Sequence, residues 1–261
     1  MDILTKIITD KRIEVNLRKQ LIPIKQLEQS VLFERETISL AKTLQKSNTG
    51  IIAEHKRRSP SKQTINNSLN VFDVAKGYEN AGVCGMSVLT DGKYFGGSLD
   101  DLLTARSCSN LPLLRKEFII DTYQIIEAKA HGADVILLIA SILSKAEIKL
   151  FSELAKQLHL DVLLEVHNEE ELQKSIMPSL DMLGVNNRNL KTFEVSLDTS
   201  MELSELIPND FVKVSESGIS NIEAIRTLRP YGYKGFLIGE NFMKTKNAGE
   251  SAAQFIKDLQ Q

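Results

Sequence analysis

Beyond residue 50 the chain alternates between two textures. Short, continuous apolar runs fall at 51–53, 86–89, 111–114, 135–140, 162–166, 182–185, 211–214 and 235–238. Between them lie longer segments whose apolar residues recur at helical spacing: 72–79, 99–106, 123–130, 145–158, 169–176, 221–228 and 248–259, with 199–206 the weakest. Two of these carry start signals. Asp121 stands before Thr122, and Ser220 with Glu223 three residues on predicts a capping box. Residues 1–48 read as helical, from Ile3, Leu4, Ile7 and Ile8 to Leu40 and Leu44, broken at Leu21-Ile-Pro23.

Eight strand-then-helix units predict an α/β fold, a (β/α)8 TIM barrel with an N-terminal helical extension. The runs are continuous rather than alternating, as a parallel sheet covered by helices requires. A doubly wound sheet would carry a GxGxxG turn after its first strand, and none is present. The β-branched runs argue against helical repeats. The expected organisation is one barrel domain over 1–261, with 1–48 as the extension.

Composition narrows the class. The chain has 261 residues, 42% hydrophobic, enough for one large core, and a formal net charge of -2 that sets up no field for nucleic acid or an acidic membrane. The densest basic group, Lys56-Arg-Arg58, is too short to act as a nucleic-acid patch. Cys84 and Cys108 stand alone, which reads as two buried thiols in a reducing compartment. The N-terminus lacks the apolar core of a signal peptide, and no apolar run approaches the ~18 residues of a membrane span. The expected address is the cytoplasm. His55, His131, His159 and His167 share no ligand spacing, so no metal role is assigned.

The chemistry concentrates where predicted strands end, which in this fold is the active-site mouth. Ile51-Ile-Ala-Glu-His-Lys-Arg-Arg-Ser-Pro-Ser61 opens apolar, then sets Glu54 and Lys56 two residues apart, on one face of an extended chain. Later strand ends offer Lys116, Glu165, Asn186 with Arg188, and Glu216. Any one could be structural: a satisfied carboxylate or a lysine reaching the rim. Together they would bring three carboxylates and three cations to one cup. Ser217-Gly218 and Gly239, after the seventh and eighth strands, are placed for a phosphate; the alternative is that the glycines only permit tight turns.

Five stretches resemble indole-3-glycerol phosphate synthase. They are Ile52-Ala-Glu-His-Lys-Arg-Arg-Ser-Pro-Ser61, Ser87-Val-Leu-Thr-Asp-Gly-Lys-Tyr-Phe-Gly-Gly-Ser98, Leu114-Arg-Lys-Glu-Phe-Ile-Ile-Asp121, Gly184-Val-Asn-Asn-Arg-Asn-Leu190 and Ser215-Glu-Ser-Gly-Ile219. The likeness runs in order along the whole chain. Glu117 stands where an Asp is usual, and Asn187-Arg-Asn189 replaces the Asn-Arg-Asp of some members; neither removes a reactive group.

The resemblance implies closure and decarboxylation of 1-(2-carboxyphenylamino)-1-deoxyribulose 5-phosphate to indole-3-glycerol phosphate, carbon dioxide and water, toward tryptophan. It implies Lys116 as general acid on the substrate carbonyl and Glu165 as the carboxylate that assists proton removal during dehydration. Lys56 is a second lysine near the substrate anions, and Glu54 and Asn186 orient the lysines and substrate. Arg188, toward the carboxylate, and Glu216 complete the wall. Ser59, Ser217, Gly218 and Gly239 belong to substrate and phosphate binding, with Phe95 and Phe118 near the aromatic ring. The N-terminal helices are expected to cap part of the mouth. No cofactor is expected, because the cation formed by ring closure accepts the electrons released with carbon dioxide. The expected partner is a phosphorylated small molecule, bound by a monomer with at most weak protein contacts. A competing barrel enzyme, phosphoribosylanthranilate isomerase, would want a Cys/Asp pair at strand ends. Cys84 precedes its strand and Cys108 lies past a helical segment. A silent phosphate-binding scaffold is the reading from another class.

Overall fold

The computed structural model describes residues 3–190 and 192–261; Met1 and Asp2, where the N-terminal stretch read above begins, lie outside them. Three helices come first: α1 (Ile3–Leu21), α2 (Ile24–Leu27) and α3 (Leu40–Lys46). Eight parallel strands then close into a barrel in sequence order: β1 (Ile51–His55), β2 (Gly85–Leu89), β3 (Leu113–Lys116), β4 (Val135–Ile139), β5 (Asp161–Val166), β6 (Met182–Asn186), β7 (Val212–Glu216) and β8 (Tyr233–Ile238). The helices around it are α4 (Val71–Ala81), α5 (Gly92–Phe95), α6 (Leu99–Cys108), α7 (Thr122–Ala130), α8 (Lys145–Gln157), α9 (Glu169–Ser175), α10 (Asp198–Ser204), α11 (Ile222–Leu228), α12 (Glu240–Met243) and α13 (Ala248–Leu259). Every expected strand and helix is present.

The differences have local causes. The third strand starts two residues later than its apolar run, because Pro112 has no N–H to give a ladder. Strands β1, β3, β6 and β7 run on past their apolar runs into polar ends, where polarity alone would cut them short. Asp121 caps α7 as expected, accepting from Tyr123 N, but the cap of α11 is Asn221, which accepts from Ala224 N; Ser220 forms no capping box. Residues 28–39 are not helical: this segment is tied across residues 130–134, with Ile38 N donating to Asp134 at 2.8 Å and Arg35 bonded to Asp134 and its neighbours' carbonyls.

Alternate strand residues point into the barrel. Ile52, Leu114, Leu163 and Val214 form an apolar floor, and the next inward residues are Glu54, Lys116, Glu165 and Glu216. Outward residues such as Ile51, Leu113, Leu164 and Val185 pack against the helices. The extension divides its work. Leu40, Ala41 and Leu44 of α3 join the interior cluster and plug the bottom of the barrel, while Ile3, Leu4 and Ile7 of α1 line the cavity at the mouth. The expectation that the N-terminal helices cap the mouth therefore holds for α1 and not for α3.

A buried cation holds α1 there. Lys11 is 1% exposed and reaches Asp91 at 3.0 Å, Glu117 at 3.1 Å and Glu14 at 2.8 Å. Burial favours the neutral amine, but Glu117, Asp91 and Glu14 outweigh it and raise its pKa. Removing one member of a buried charge group leaves the others unpaired. Lys11→Ala is therefore expected to cost about 3–5 kcal/mol in urea unfolding; a loss under about 1 kcal/mol, the value of a surface pair, would show that the network contributes little.

Candidate active site

The inward polar residues open into one cavity of about 460 Å3 at the C-terminal ends of the strands. Its wall contains every site residue singled out from the sequence: Glu54, Lys56, Ser59, Phe95, Lys116, Phe118, Glu165, Asn186, Arg188, Glu216, Ser217, Gly218 and Gly239. They come from seven of the eight barrel units, so only closure of the sheet brings them together.

Lys116 is the hub. Its ammonium touches Oε2 of Glu216 and lies 3.4 Å from Oε2 of Glu165. Burial opposes its charge, yet Glu216, Glu165 and Glu54 outweigh burial and push its pKa above the usual lysine range. On the neighbouring arc Lys56 Nζ pairs with Glu54 Oε1 at 2.5 Å. Burial favours neutral Glu54, but Lys56 and Lys116 prevail and hold it ionised.

The two carboxylates at Lys116 differ. Glu165 would be raised by burial, but Lys116, His167 and Asn186 lower it below the ordinary carboxylate range. Glu216 has fewer supports. Burial raises it, Lys116 opposes, and the charges of Glu165 and Glu54 raise it again, to about 7. Its Oε1 is buried without a hydrogen-bond partner. One group is thus firmly anionic and the other poised near neutrality, an arrangement that suits acid–base work.

The aromatic pair sits at the side. Asp91 caps α5 by accepting from Tyr94 N and Phe95 N, and Phe95 meets Phe118 with ring centroids 5.9 Å apart. Ser217 and Gly218 both take positive φ, 64° and 78°, and the Ser217 carbonyl accepts from the buried Asn187 side chain at 3.0 Å. At Gly239 a Cβ would stand 2.5 Å from Oε1 of Glu54, so any side chain there would displace the carboxylate. Lys62 and Glu240 join the first and last loops at 2.5 Å across the rim.

Sequence reasoning missed three contributors. Lys11 and the apolar residues of α1 looked like ordinary helix positions. Asn187, buried and bonded to Ser200 and Ser215 as well as Ser217, looked like a neighbour of Asn186. His167 has no ligand spacing to mark it, yet it stands two residues after Glu165, the same-face spacing that joins Glu54 and Lys56.

The family model for indole-3-glycerol phosphate synthase matches residues 4–259. The chain belongs to the indole-3-glycerol phosphate synthase family. It is 47% identical over 259 residues to the indole-3-glycerol phosphate synthase of Bacteroides thetaiotaomicron, covering 99% of each chain. It is 40% identical over 260 residues to that of Campylobacter fetus subsp. fetus, covering 98% of each. Among solved structures it resembles KGPDC from Streptococcus mutans (TM-score 0.60, 12% identity, covering 81% of this chain and 97% of that one). It also resembles thiamine phosphate pyrophosphorylase from Pyrococcus furiosus (TM-score 0.59, 16% identity, covering 85% and 99%). At such identities these two speak for the fold alone. As an indole-3-glycerol phosphate synthase the chain is a carboxy-lyase of tryptophan biosynthesis. It closes, decarboxylates and dehydrates a phosphorylated small molecule, 1-(2-carboxyphenylamino)-1-deoxyribulose 5-phosphate. The isomerase and scaffold readings fall away.

Proposed function

We propose a division of labour among the cavity residues for this reaction. Lys116 gives its proton to the substrate carbonyl oxygen as the ring carbon attacks. The three carboxylates around it keep it charged until the carbonyl arrives. Ring closure leaves a cation that takes up the electron pair freed as carbon dioxide departs. Glu165 then accepts a proton from the ring as the hydroxyl takes one from Lys56 and leaves as water, and the indole becomes aromatic. Its firmly ionised state supports that role, because a base must be unprotonated when needed. Lys56 attracts the substrate anions and donates a proton in one step, held by Glu54. Asn186 and Glu216 orient Glu165 and Lys116.

Binding is divided similarly. Arg188 faces the substrate carboxylate, and Ser59 and the backbone around Ser217, Gly218 and Gly239 hold the phosphate. Phe95 and Phe118 flank the aromatic ring. The observation that carries this reading is Lys116 held between Glu165 and Glu216 on the wall of one cavity. Following indole fluorescence as the substrate is consumed tests it; no indole formation would reject it.

Glu216 gives a pH signature. It is ionised above about 7, where it holds Lys116, and neutral below, where that hold weakens. We expect kcat/KM to fall on the acid side through about pH 7, and Glu216→Gln to remove that inflection. An inflection unmoved in the variant would assign it to another group.

We further infer that the chain works as a single barrel domain over 1–261, with 1–48 as its extension, and as a monomer in the cytoplasm. One chain supplies every residue in the roles above. Both cysteines are free, which suits a reducing compartment, and among the described residues no helix is long and apolar enough to cross a membrane. Light scattering on the purified enzyme tests the monomer; a dimer mass at micromolar concentration would reject it.

A further inference from the structure

The Glu165 carboxylate has an anchored oxygen and a working one. Oε2 looks toward Lys116 at 3.4 Å. Oε1 accepts from Asn186 Nδ2 at 3.1 Å and lies 3.3 Å from Nε2 of His167. His167 follows β5, is largely buried, and stands beside Glu165 outside the residues that line the cavity.

The far side of the imidazole is held as well. Nδ1 lies 3.1 Å from Oε2 of Glu171, and the backbone N–H of His167 donates to the same oxygen at 2.9 Å. Glu171 is itself fixed in the first turn of α9. Its Oε1 accepts from Asn168 Nδ2 at 3.3 Å, and its N–H donates to the Asn168 side chain at 2.9 Å. With a carboxylate at each ring nitrogen, only the imidazolium offers a proton to both. Burial disfavours that cation, but Glu165 and Glu171 outweigh it and raise the His167 pKa to about 10. The ring is thus a fixed positive strut between two acids.

We propose that His167, braced by Glu171, is a positioning residue that pins Oε1 of Glu165 so that Oε2 is the oxygen presented to the reacting atoms. This rests on the reading of Glu165 as the base. A carboxylate's terminal torsion is broad and nearly two-fold, so burial alone does not fix which oxygen faces the substrate. Asn186 supplies one neutral donor. His167 adds a charge, an ion pair at 3.3 Å rather than a hydrogen bond, from the side opposite Lys116. Without it Glu165 is free to turn both oxygens toward Lys116, and it loses a cation that keeps it ionised against burial.

The test compares His167→Ala, His167→Asn and His167→Gln, alone and in a Glu165→Gln background. The readouts are kcat, KM and the pH profile of kcat. His167→Ala is expected to lower kcat about 10–100-fold, the usual range for a supporting residue behind a reactive group, with KM within about threefold. Glutamine, whose amide can still donate toward Oε1, should restore most of the loss. Asparagine, which donates only toward Glu171, should not, and serves if the alanine variant fails to fold. The groups facing Glu165 and His167 are Lys116, Asn186 and Glu171, with Glu216 beyond Lys116. Loss of the imidazolium should therefore move the acid limb of kcat up by about one pH unit or more, read in a Glu216→Gln background where the inflection near pH 7 is gone. Adding His167→Ala to Glu165→Gln should cost nothing further. An unmoved acid limb with kcat within twofold of wild type, or an additive loss in the double variant, would overturn the inference while leaving Glu165 as the base. Wild-type turnover by Glu165→Gln alone would overturn the base reading, and the inference with it.

Discussion

Lys116→Ala is expected to lower kcat by about 10²–10⁴-fold, the usual contribution of a general acid, in a chain that stays folded. No other lysine among the site residues named above stands free to replace it. Lys56 is paired with Glu54. The risk to the fold is three buried carboxylates left around a missing cation, which would ordinarily be severe. Glu216 provides the relief. Its pKa is already about 7, and removing Lys116 takes away the charge that opposes a further rise. In the variant Glu216 takes a proton and the site stays near neutral. The sign follows. A carboxyl raised in the folded state favours folding below its unfolded pKa, and that benefit is lost as pH rises through the folded value. Lys116→Ala should therefore lose stability progressively above about pH 7 compared with the parent. Turnover near wild type in folded protein at pH 6.5 to 7 would remove Lys116 from the mechanism.

The second large effect belongs to Glu165→Gln. We expect kcat to fall by about 10²–10⁴-fold with KM changed less than about threefold. The amide fills the same volume and can still accept from Asn186, so the cavity keeps its shape. What it loses is an oxygen able to take a proton. Because this role comes after carbon dioxide has left, single-turnover measurements should separate the two events. The variant should release about one equivalent of carbon dioxide per site while indole fluorescence lags behind it. If both signals slow together, Glu165 acts before decarboxylation; if neither slows, it is not the base.

These effects depend on residues whose types were visible in the chain and whose partners were not. The apolar runs were legible because a parallel sheet covered on both faces must be apolar along its length. They failed at their C-terminal ends. Glu54 and His55, Lys116, Asn186 and Glu216 still belong to strands, although polarity argues for loops. That is where function replaces hydrophobic content with charge, so a pattern based on hydrophobicity must end early there. The capping box at Ser220 failed for a smaller reason: Asn221, one residue on, was an equally good cap, and the chain took it.

The sequence by itself determined the strand-helix alternation, the reactive residue types at the strand ends, and through its motifs the family. These are local properties, carried by spacing and side-chain chemistry within one segment. Only the tertiary structure decided which charges share a partner. Lys116 meets Glu216 across 100 positions of sequence and Glu165 across 49, and Lys11 reaches the mouth from the first helix. It also decided that α1 serves the mouth while α3 closes the opposite end. Electrostatic pairing and burial depend on distance in space, and barrel closure sets those distances all at once; no segment carries that information alone.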